Sequence, residues 1–246
     1  MASANIRSRL PVTRVSVIVP AWNEEASLAA TLRSVGTPLA GVEVIVVDAA
    51  STDATVAVAR AHDARVVASP VRRRAEQLNF GVQHATGEVL LFLHADTLLP
   101  AGWRADLLES FGADPQLAGG AYRRRFDRWS LWLRLTCRLA DWRGRRWGLF
   151  LGDQAMFVRA GVFWALGGFR PEARCEDLDF SWRLARHGRT RLLAPIVLSS
   201  GRRFAARGPV AQTCADLITA WRCLREASAP TEVEPSARPQ TAAVSR

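Results

Sequence analysis

Three stretches of aliphatic, largely β-branched residues each stop abruptly at a proline or a polar group. They are VSVIVP (Val15–Pro20), VEVIVVD (Val42–Asp48) and EVLLFLHAD (Glu88–Asp96). Runs that are apolar at nearly every position, rather than every second one, suit strands covered on both faces, as in a parallel sheet. The segments between them carry helical signals. EEASLAATLRSV places Leu28, Leu32 and Val35 at helical spacing, and STDATVAVARAHDA reads as a helix capped by Ser51, Thr52 or Asp53. RVVAS reads as a short further strand and RRRAEQLNFGVQHAT as another helix. Strand and helix alternate with short loops, which predicts right-handed βαβ units. The fold class is α/β, with a mainly parallel central sheet flanked by helices.

Beyond Trp103 the pattern is less regular. Gly119–Phe126 reads as a strand, WSLWLRLTCRLADW as an amphipathic, tryptophan-rich helix, and GDQAMFV as a strand. EDLDFSWRLARHG predicts a helix beginning near Glu176, and VAQTCADLITAWRCLREA a final helix. PTEVEPSARPQTAAVSR lacks apolar periodicity and reads as a disordered tail. The organisation expected is one domain over residues 14–226, between a flexible N-terminal segment (1–13) and a C-terminal tail (227–246).

A chain of 246 residues, 49% hydrophobic and 23% charged, has the composition of an ordinary globular protein. All 33 basic residues are arginine, and the net charge is +10. With so much alanine beside it, an arginine-only chain carries a compositional bias. The charge therefore argues weakly for nucleic acid, and better for phosphate-bearing ligands or an anionic membrane surface. Cys137, Cys175, Cys214 and Cys223 form no CxxC pair. That spacing predicts a reducing compartment, without a disulfide framework or a zinc site. No signal-peptide core and no run approaching ~20 apolar residues is present, so the expectation is a cytoplasmic protein, soluble or peripheral to a membrane.

Ligands of open parallel sheets bind outside the carboxyl ends of the strands. Here Pro20 begins PAWNEE, Asp48 closes the next run, and His94-Ala95-Asp96 closes the fourth strand. Three unusual termini on one edge point to a nucleotide site more than to helix capping alone. Asp48 suits hydrogen bonds from a base or ribose, and Asp53 the cap of the helix that it begins. Asp96 suits a divalent cation bridging the two phosphates of a nucleotide diphosphate, since magnesium takes only one or two protein carboxylates in such sites. His94 is a weaker second ligand, or a buried hydrogen-bonded histidine, because hard cations prefer oxygen.

Four further features carry chemistry. Arg72, Arg73 and Arg74 stand at a predicted helix N-terminus, where charge and backbone N–H groups favour phosphate; Arg74 is the preferred contact. Glu176 and Asp177 are adjacent carboxylates at a helix start, where like-charge proximity raises one pKa and the helix dipole also favours them. Asp153 and Gln154 can bond a ligand hydroxyl or satisfy backbone groups in a buried turn. Trp129, Trp132, Trp142 and Trp147 are interleaved with arginines over residues 129–150. This segment suits a helix whose apolar face packs on the sheet, or a peripheral contact with an anionic membrane.

PAWNEE, VIVVDAASTDAT and LLFLHADT occur in the order of the first-strand, second-strand and DxD motifs of glycosyltransferase family 2, and the resemblance extends from about Val15 to Gly201. It implies a GT-A fold, a nucleotide-sugar donor (a UDP-sugar by default), Mg²⁺ or Mn²⁺, and inversion at the anomeric carbon. By position it places Pro20, Ala21, Glu24 and Asp48 at the donor nucleotide, with Arg74 and Asn79 nearby. Asp96 matches the metal-binding Asp of DxD, and Asp153 and Gln154 the acceptor side. The Glu176–Asp177 pair would supply the base, with Asp177 foremost; Asp179 faces another direction on the helix. Two departures stand out: Asp48-Ala49 replaces an acidic pair, and His94 replaces the first Asp of DxD. The string from RAEQLNF to GDQAMFVR is similar to a compact bacterial branch labelled arsenosugar-biosynthesis or carotenoid-acid glycosyltransferase. The acceptor expected is a hydroxyl- or carboxyl-bearing small molecule or lipid, and nucleic acid is not a partner. Two alternatives are a non-catalytic nucleotide- or membrane-binding module and a nucleotidyltransferase; PAWNEE is not the Gly-rich loop that the latter needs.

Overall fold

The computed structural model describes residues 14–36 and 39–227. The segment 1–13 and the tail from Ser228 onward lie outside the described residues. The first hundred residues fold as β1 (Val15–Ala21), α1 (Glu25–Val35), β2 (Val42–Asp48), α2 (Thr55–Ala61), β3 (Arg65–Ala68), α3 (Arg74–Gln83) and β4 (Val89–Phe92). β1 pairs in parallel with β2 and β4, and β2 in parallel with β3. The continuous apolar runs are explained by their surroundings. On β1, Val17 and Val19 belong to a core cluster with Leu28 and Leu32 of α1, while Ile18 on the opposite face meets Leu78 and Val82 of α3. Gly81 lets α3 lie close on the sheet: a Cβ there would come within 2.6 Å of Ile18 and 2.8 Å of Val47.

The second half continues with β5 (Thr97–Leu98), α4 (Trp103–Ala113), β6 (Leu117–Phe126), α5 (Leu131–Trp147), β7 (Met156–Arg159), α6 (Ala160–Ala165), α7 (Glu176–His187), β8 (Arg189–Ser199), α8 (Arg202–Arg207) and α9 (Pro209–Ala227). The sheet has eight strands in the order β3-β2-β1-β4-β7-β6-β8-β5, with β7 antiparallel to both its neighbours. β6 and β8 pair in parallel, with a register shift between Tyr122 and Arg123 opposite Leu193 and Ile196. The two extra residues on β8 are Ala194 and Pro195, and a bulge is where a proline without an N–H is tolerated in a strand. That proline also conceals β8 from sequence inspection.

Three expectations are corrected. Gly152–Gln154 of the expected GDQAMFV strand form a 3-10 turn, and pairing begins only at Met156. Cys175 and Cys223 form a disulfide, because α7 packs on α9 and brings together cysteines 48 positions apart, beyond the reach of any local spacing rule. The amphipathic helix α5 packs only part of its apolar surface inward. Its buried residues are Leu133, Cys137, Ala140, Asp141 and Gly144, whereas Leu131, Leu135, Leu139 and Trp142 are exposed. Asp53 stands one residue before the N-cap of α2, Ala54, which has no side-chain cap, and its Oδ1 accepts from the Thr55 backbone N–H at 2.9 Å.

No helix among the described residues is long and apolar enough to cross a membrane. Loop-closure entropy for a 48-residue separation corresponds to about 4 kcal/mol at 25 °C. Denaturant titration of the oxidised protein is therefore expected to lose up to about that amount on adding a thiol reductant. Cys223→Ser should show the lower stability from the outset and no further response to reductant.

Candidate active site

The carboxyl ends of β1 and β2 are tied together before any ligand is considered. Gln77 of α3 is buried and donates from its side-chain amide to the Ala21 carbonyl at 3.1 Å and the Val47 carbonyl at 2.9 Å. The loops that follow are laced to one another. The Asn23 N–H donates to Ser51 Oγ at 2.9 Å, Thr52 N–H to Asn23 Oδ1 at 2.8 Å, and Ala54 N–H to Glu25 Oε2 at 2.8 Å. Asn23 stands at φ 52°, in the left-handed region that asparagine tolerates better than most residues. Much of PAWNEE and DAASTDAT thus shapes the rim of the site by loop-to-loop bonding.

A cleft opens at this edge, lined in part by Pro20, Glu24, Arg74, His94, Asp96 and Asp153. All six were singled out from the sequence. Asp48 ends β2 beside β1; its Oδ2 accepts from the Ser51 N–H at 3.1 Å, and its buried Oδ1 has no partner. A buried carboxylate oxygen without a donor is costly, and a ligand N–H or O–H would satisfy it. Ala21 closes β1 next to Asp48, with its carbonyl already taken by Gln77. Asn79 does not face the cleft lining; it clamps Phe169, donating to that residue's carbonyl at 2.7 Å and accepting from its N–H at 2.9 Å.

Arg202 and Arg203 also line the cleft, from the start of α8, beside Ser199 and Ser200 at the end of β8. Sequence reasoning missed them. The available signal was an apolar run, LLAPIVL, closing in SSGRR in the same way as the other strands close in polar groups. Arg202 forks onto both Glu24 oxygens and reaches Asp96 Oδ2 at 3.2 Å. Burial pushes the Asp96 carboxyl up against the pull of Arg202, with Glu24 adding to the rise. A second cationic partner would relieve that penalty.

Among the described residues no group of three or more His, Cys, Asp or Glu side chains is arranged to hold a metal ion. Of the carboxylates that line the cleft, Glu24 is forked by Arg202 and Asp153 is paired with Arg124, which leaves Asp96 as the available donor in a site ringed by arginines. It fits a divalent cation whose shell is completed by diphosphate oxygens and water, and does not fit an all-protein cage. His94 is held neutral: burial, then Arg74, push its pKa down to about 3, against Asp153. Its Nε2 lies over Gly152, where a Cβ would come within 2.6 Å.

On the far side of the cleft, Arg124 of β6 and Asp153 of the 3-10 turn form a buried ion pair. Arg124 and His94 hold the Asp153 carboxyl below its usual range despite its burial. Asp153 Oδ1 is buried and unpartnered, whereas Gln154 is fully used, accepting from the Leu151 N–H at 3.0 Å and donating to the Tyr122 carbonyl at 3.3 Å. Glu176 and Asp177 open α7. Asp177 accepts from the Gly152 N–H at 2.6 Å and the Leu178 N–H at 2.8 Å. Glu176 pairs with Arg74 at 3.3 Å, and burial followed by the neighbouring Asp177 raises its pKa. Asp179 points elsewhere, onto Arg183 and Arg170.

Residues 16–169 match the model of Glycosyl transferase family 2, and the chain belongs to that family. A glycosyltransferase of uncharacterised activity from Mycobacterium tuberculosis is 36% identical over 111 residues, covering 45% of this chain and 49% of its own. An undecaprenyl-phosphate 4-deoxy-4-formamido-L-arabinose transferase from Sodalis glossinidius is 28% identical over 131 residues, 49% of this chain and 40% of its own. The chain thus spans about half the length, or less, of these curated relatives. Among solved structures it is similar to a mannosyltransferase from Pyrobaculum calidifontis in complex with GDP-Man and Mn²⁺. That match has a TM-score of 0.67 and 26% identity, covering 91% of this chain and 67% of that one. Staphylococcus aureus TarS (residues 1–349) with UDP-GlcNAc matches at a TM-score of 0.61 and 19% identity, over 77% of this chain and 59% of that one, a likeness of fold. The architecture is that of GT-A glycosyltransferases.

Breaking a buried pair by removing one charge typically costs about 3–5 kcal/mol. Asp153→Asn is therefore expected to lose stability on that scale at pH 7. Because the folded-state pKa of Asp153 is depressed, its contribution is present above the ordinary carboxylate pKa and lost as pH falls through the folded value. Thermal melts from pH 7 to pH 3 should show the gap between wild type and Asp153→Asn narrowing towards acid.

Proposed function

We propose that this protein moves a sugar from a nucleotide-diphosphate donor to a hydroxyl or carboxyl group of an acceptor, by a single displacement that inverts the anomeric carbon and is assisted by Mg²⁺ or Mn²⁺. The observation that carries this reading is the pair of bridges between the two sides of the cleft. Arg74 lines the donor side and bonds Glu176, and Gly152 contacts both His94 and Asp177. Carboxylates that could accept a proton therefore stand beside a phosphate-sized ring of arginines. A module that only bound nucleotide would have no use for the Glu176–Asp177 pair.

On this reading Asp48 receives a hydrogen bond from the donor's base or ribose through its free Oδ1. Arg74, Arg202 and Arg203 face the diphosphate, and Arg202 is already drawn to this place by Glu24 and Asp96. The cation would be held by Asp96, with His94 as the weaker candidate ligand, and would neutralise charge on the diphosphate. Asp153 Oδ1 accepts from the acceptor. As the acceptor oxygen bonds to the anomeric carbon, the bond from that carbon to the diphosphate oxygen breaks, and the diphosphate leaves with the electron pair. The acceptor proton passes to the carboxylate pair, with Asp177 as the base and Glu176, its pKa raised, as its coupled neighbour. The GDP-mannose and UDP-GlcNAc complexes of related folds support a nucleotide-sugar donor, with a UDP-sugar as the default. The relative named for an undecaprenyl-phosphate substrate supports a lipid acceptor as readily as a small molecule.

Because the protein offers the cation a single carboxylate, Mn²⁺ alone should hardly move the thermal midpoint. UDP with Mn²⁺ at a hundredfold excess over Kd should stabilise the fold by about 2.7 kcal/mol, a shift of several degrees. Asp96→Ala should abolish the Mn²⁺-dependent part. If no nucleoside diphosphate shifts the midpoint with or without Mn²⁺, the donor assignment fails.

Asp177→Asn is expected to lower UDP-sugar turnover, read as slow hydrolysis in water, by about 10²–10⁴-fold while UDP binding is retained. Equal turnover in Asp177→Asn and wild type would remove Asp177 from the role of base.

A further inference from the structure

The face of α5 turned to solvent carries a strip of leucine and tryptophan flanked by arginine, where an ordinary surface helix is polar. Leu131, Leu135, Leu139 and Trp142 form one ridge at helical spacing, and it points away from the sheet. Leu131 is 70% exposed, Leu139 54% and Trp142 55%, and Trp129 just before the helix is 77% exposed. Isolated exposed leucines need no explanation, but a contiguous ridge of them marks a contact surface. Arg134, Arg138 and Arg145 run along one flank of this ridge, and Arg146 lies within it. All four are exposed, and none has an ion-pair partner among the described residues. The only acidic residue in α5, Asp141, is turned inward and paired with Arg123 at 2.8 Å.

We infer that the outer face of α5, with Trp129, docks in the plane of an anionic lipid bilayer. The leucines and tryptophans enter the boundary between headgroups and acyl chains, and the arginines remain at the level of the lipid phosphates. The charge pattern selects this occupant. A second copy meeting the same face about a two-fold axis would set four unpaired arginines against four others, whereas anionic headgroups neutralise them. The helix is anchored firmly enough to serve as a platform: Ser130 caps its N-terminus, Trp132 donates to Thr213 Oγ1 of α9 at 3.0 Å, and Gly144 packs on Phe150. The inference does not rest on the chemistry assigned to the cleft.

Vesicle flotation tests it. The protein should float with phosphatidylcholine vesicles containing 30–40% phosphatidylglycerol (on the order of the anionic content used for such assays), remain behind with pure phosphatidylcholine, and detach as salt is raised. Leu135→Ser/Leu139→Ser/Trp142→Ser should lower the floated fraction at least about tenfold, and Arg134→Gln/Arg138→Gln/Arg145→Gln should do so at moderate salt. These side chains are exposed, so thermal midpoints should stay near wild type, confirming that the variants are folded. Three outcomes overturn the proposal: no flotation with any vesicle, flotation unchanged in both variants, or a wild-type dimer that the leucine variant dissociates in the absence of vesicle binding. The last would assign the face to a second copy of this chain.

Discussion

The buried ion pair between Arg124 and Asp153 is the interaction on which the rest of the site depends. It fastens β6 to the 3-10 turn before β7, where the parallel half of the sheet meets its antiparallel strand. Two charges out of water persist only when each compensates the other, so the pair fixes the turn's position within narrow limits. That turn in turn positions Gly152, whose backbone N–H holds Asp177 and whose missing side chain admits His94. The Arg124–Asp153 contact thus helps to register the two sides of the cleft to one another. Burial, and then Arg74, keep His94 neutral even beside the Asp153 carboxylate, where a free histidine would titrate near neutrality.

The cationic side of the cleft is assembled from two separate parts of the chain. Arg74 comes from α3, and Arg202 and Arg203 from the start of α8. Glu24 and Asp96 draw Arg202 inward, so the protein supplies its own positive charge in the place where a diphosphate and a cation would lie. Asp96 and Glu176 both carry carboxyl groups raised by burial, a cost that a bound cation would relieve at Asp96. Helix α5 borders this machinery and turns its leucines outward, so the same small domain presents a polar cleft and an apolar, arginine-flanked ridge.

Much of the first hundred residues was legible because local rules suffice there. Apolar runs bounded by Pro20, Asp48 and His94 can only be strands covered on both faces, and their polar ends must lie along one edge. The second half was less legible for identifiable reasons. Pro195 interrupts β8 and disguises it as a loop, although a bulge accommodates the missing N–H. Arg202 and Arg203 follow that hidden strand and were overlooked with it. The Cys175–Cys223 bond joins positions that only the packing of α7 on α9 brings together. Asn79 was expected near the donor, yet its amide is occupied by the Phe169 backbone, a partner 90 positions away.

By itself the sequence determined the α/β class, the edge of the sheet on which chemistry is placed, and the carboxylates Asp48, Asp96, Glu176 and Asp177. The class and the edge follow from periodicity and from the cost of burying charge, which act over a few residues at a time, whereas Glu176 and Asp177 were set above a helix-dipole role only by the resemblance to glycosyltransferase family 2. Tertiary structure alone decided which arginines face the cleft, which carboxylate is neutralised by Arg124, and which side of α5 meets the sheet. A helical wheel gives an apolar face but not its direction, because direction depends on what the neighbouring strands leave room for. Here β6 presents Arg123, which Asp141 reaches at 2.8 Å, and Phe150 packs closely on Gly144, where a Cβ would come within 3.1 Å of its ring. Small residues, with Leu133 and Asp141, were therefore drawn inward, and Leu131, Leu135 and Leu139 were left outside.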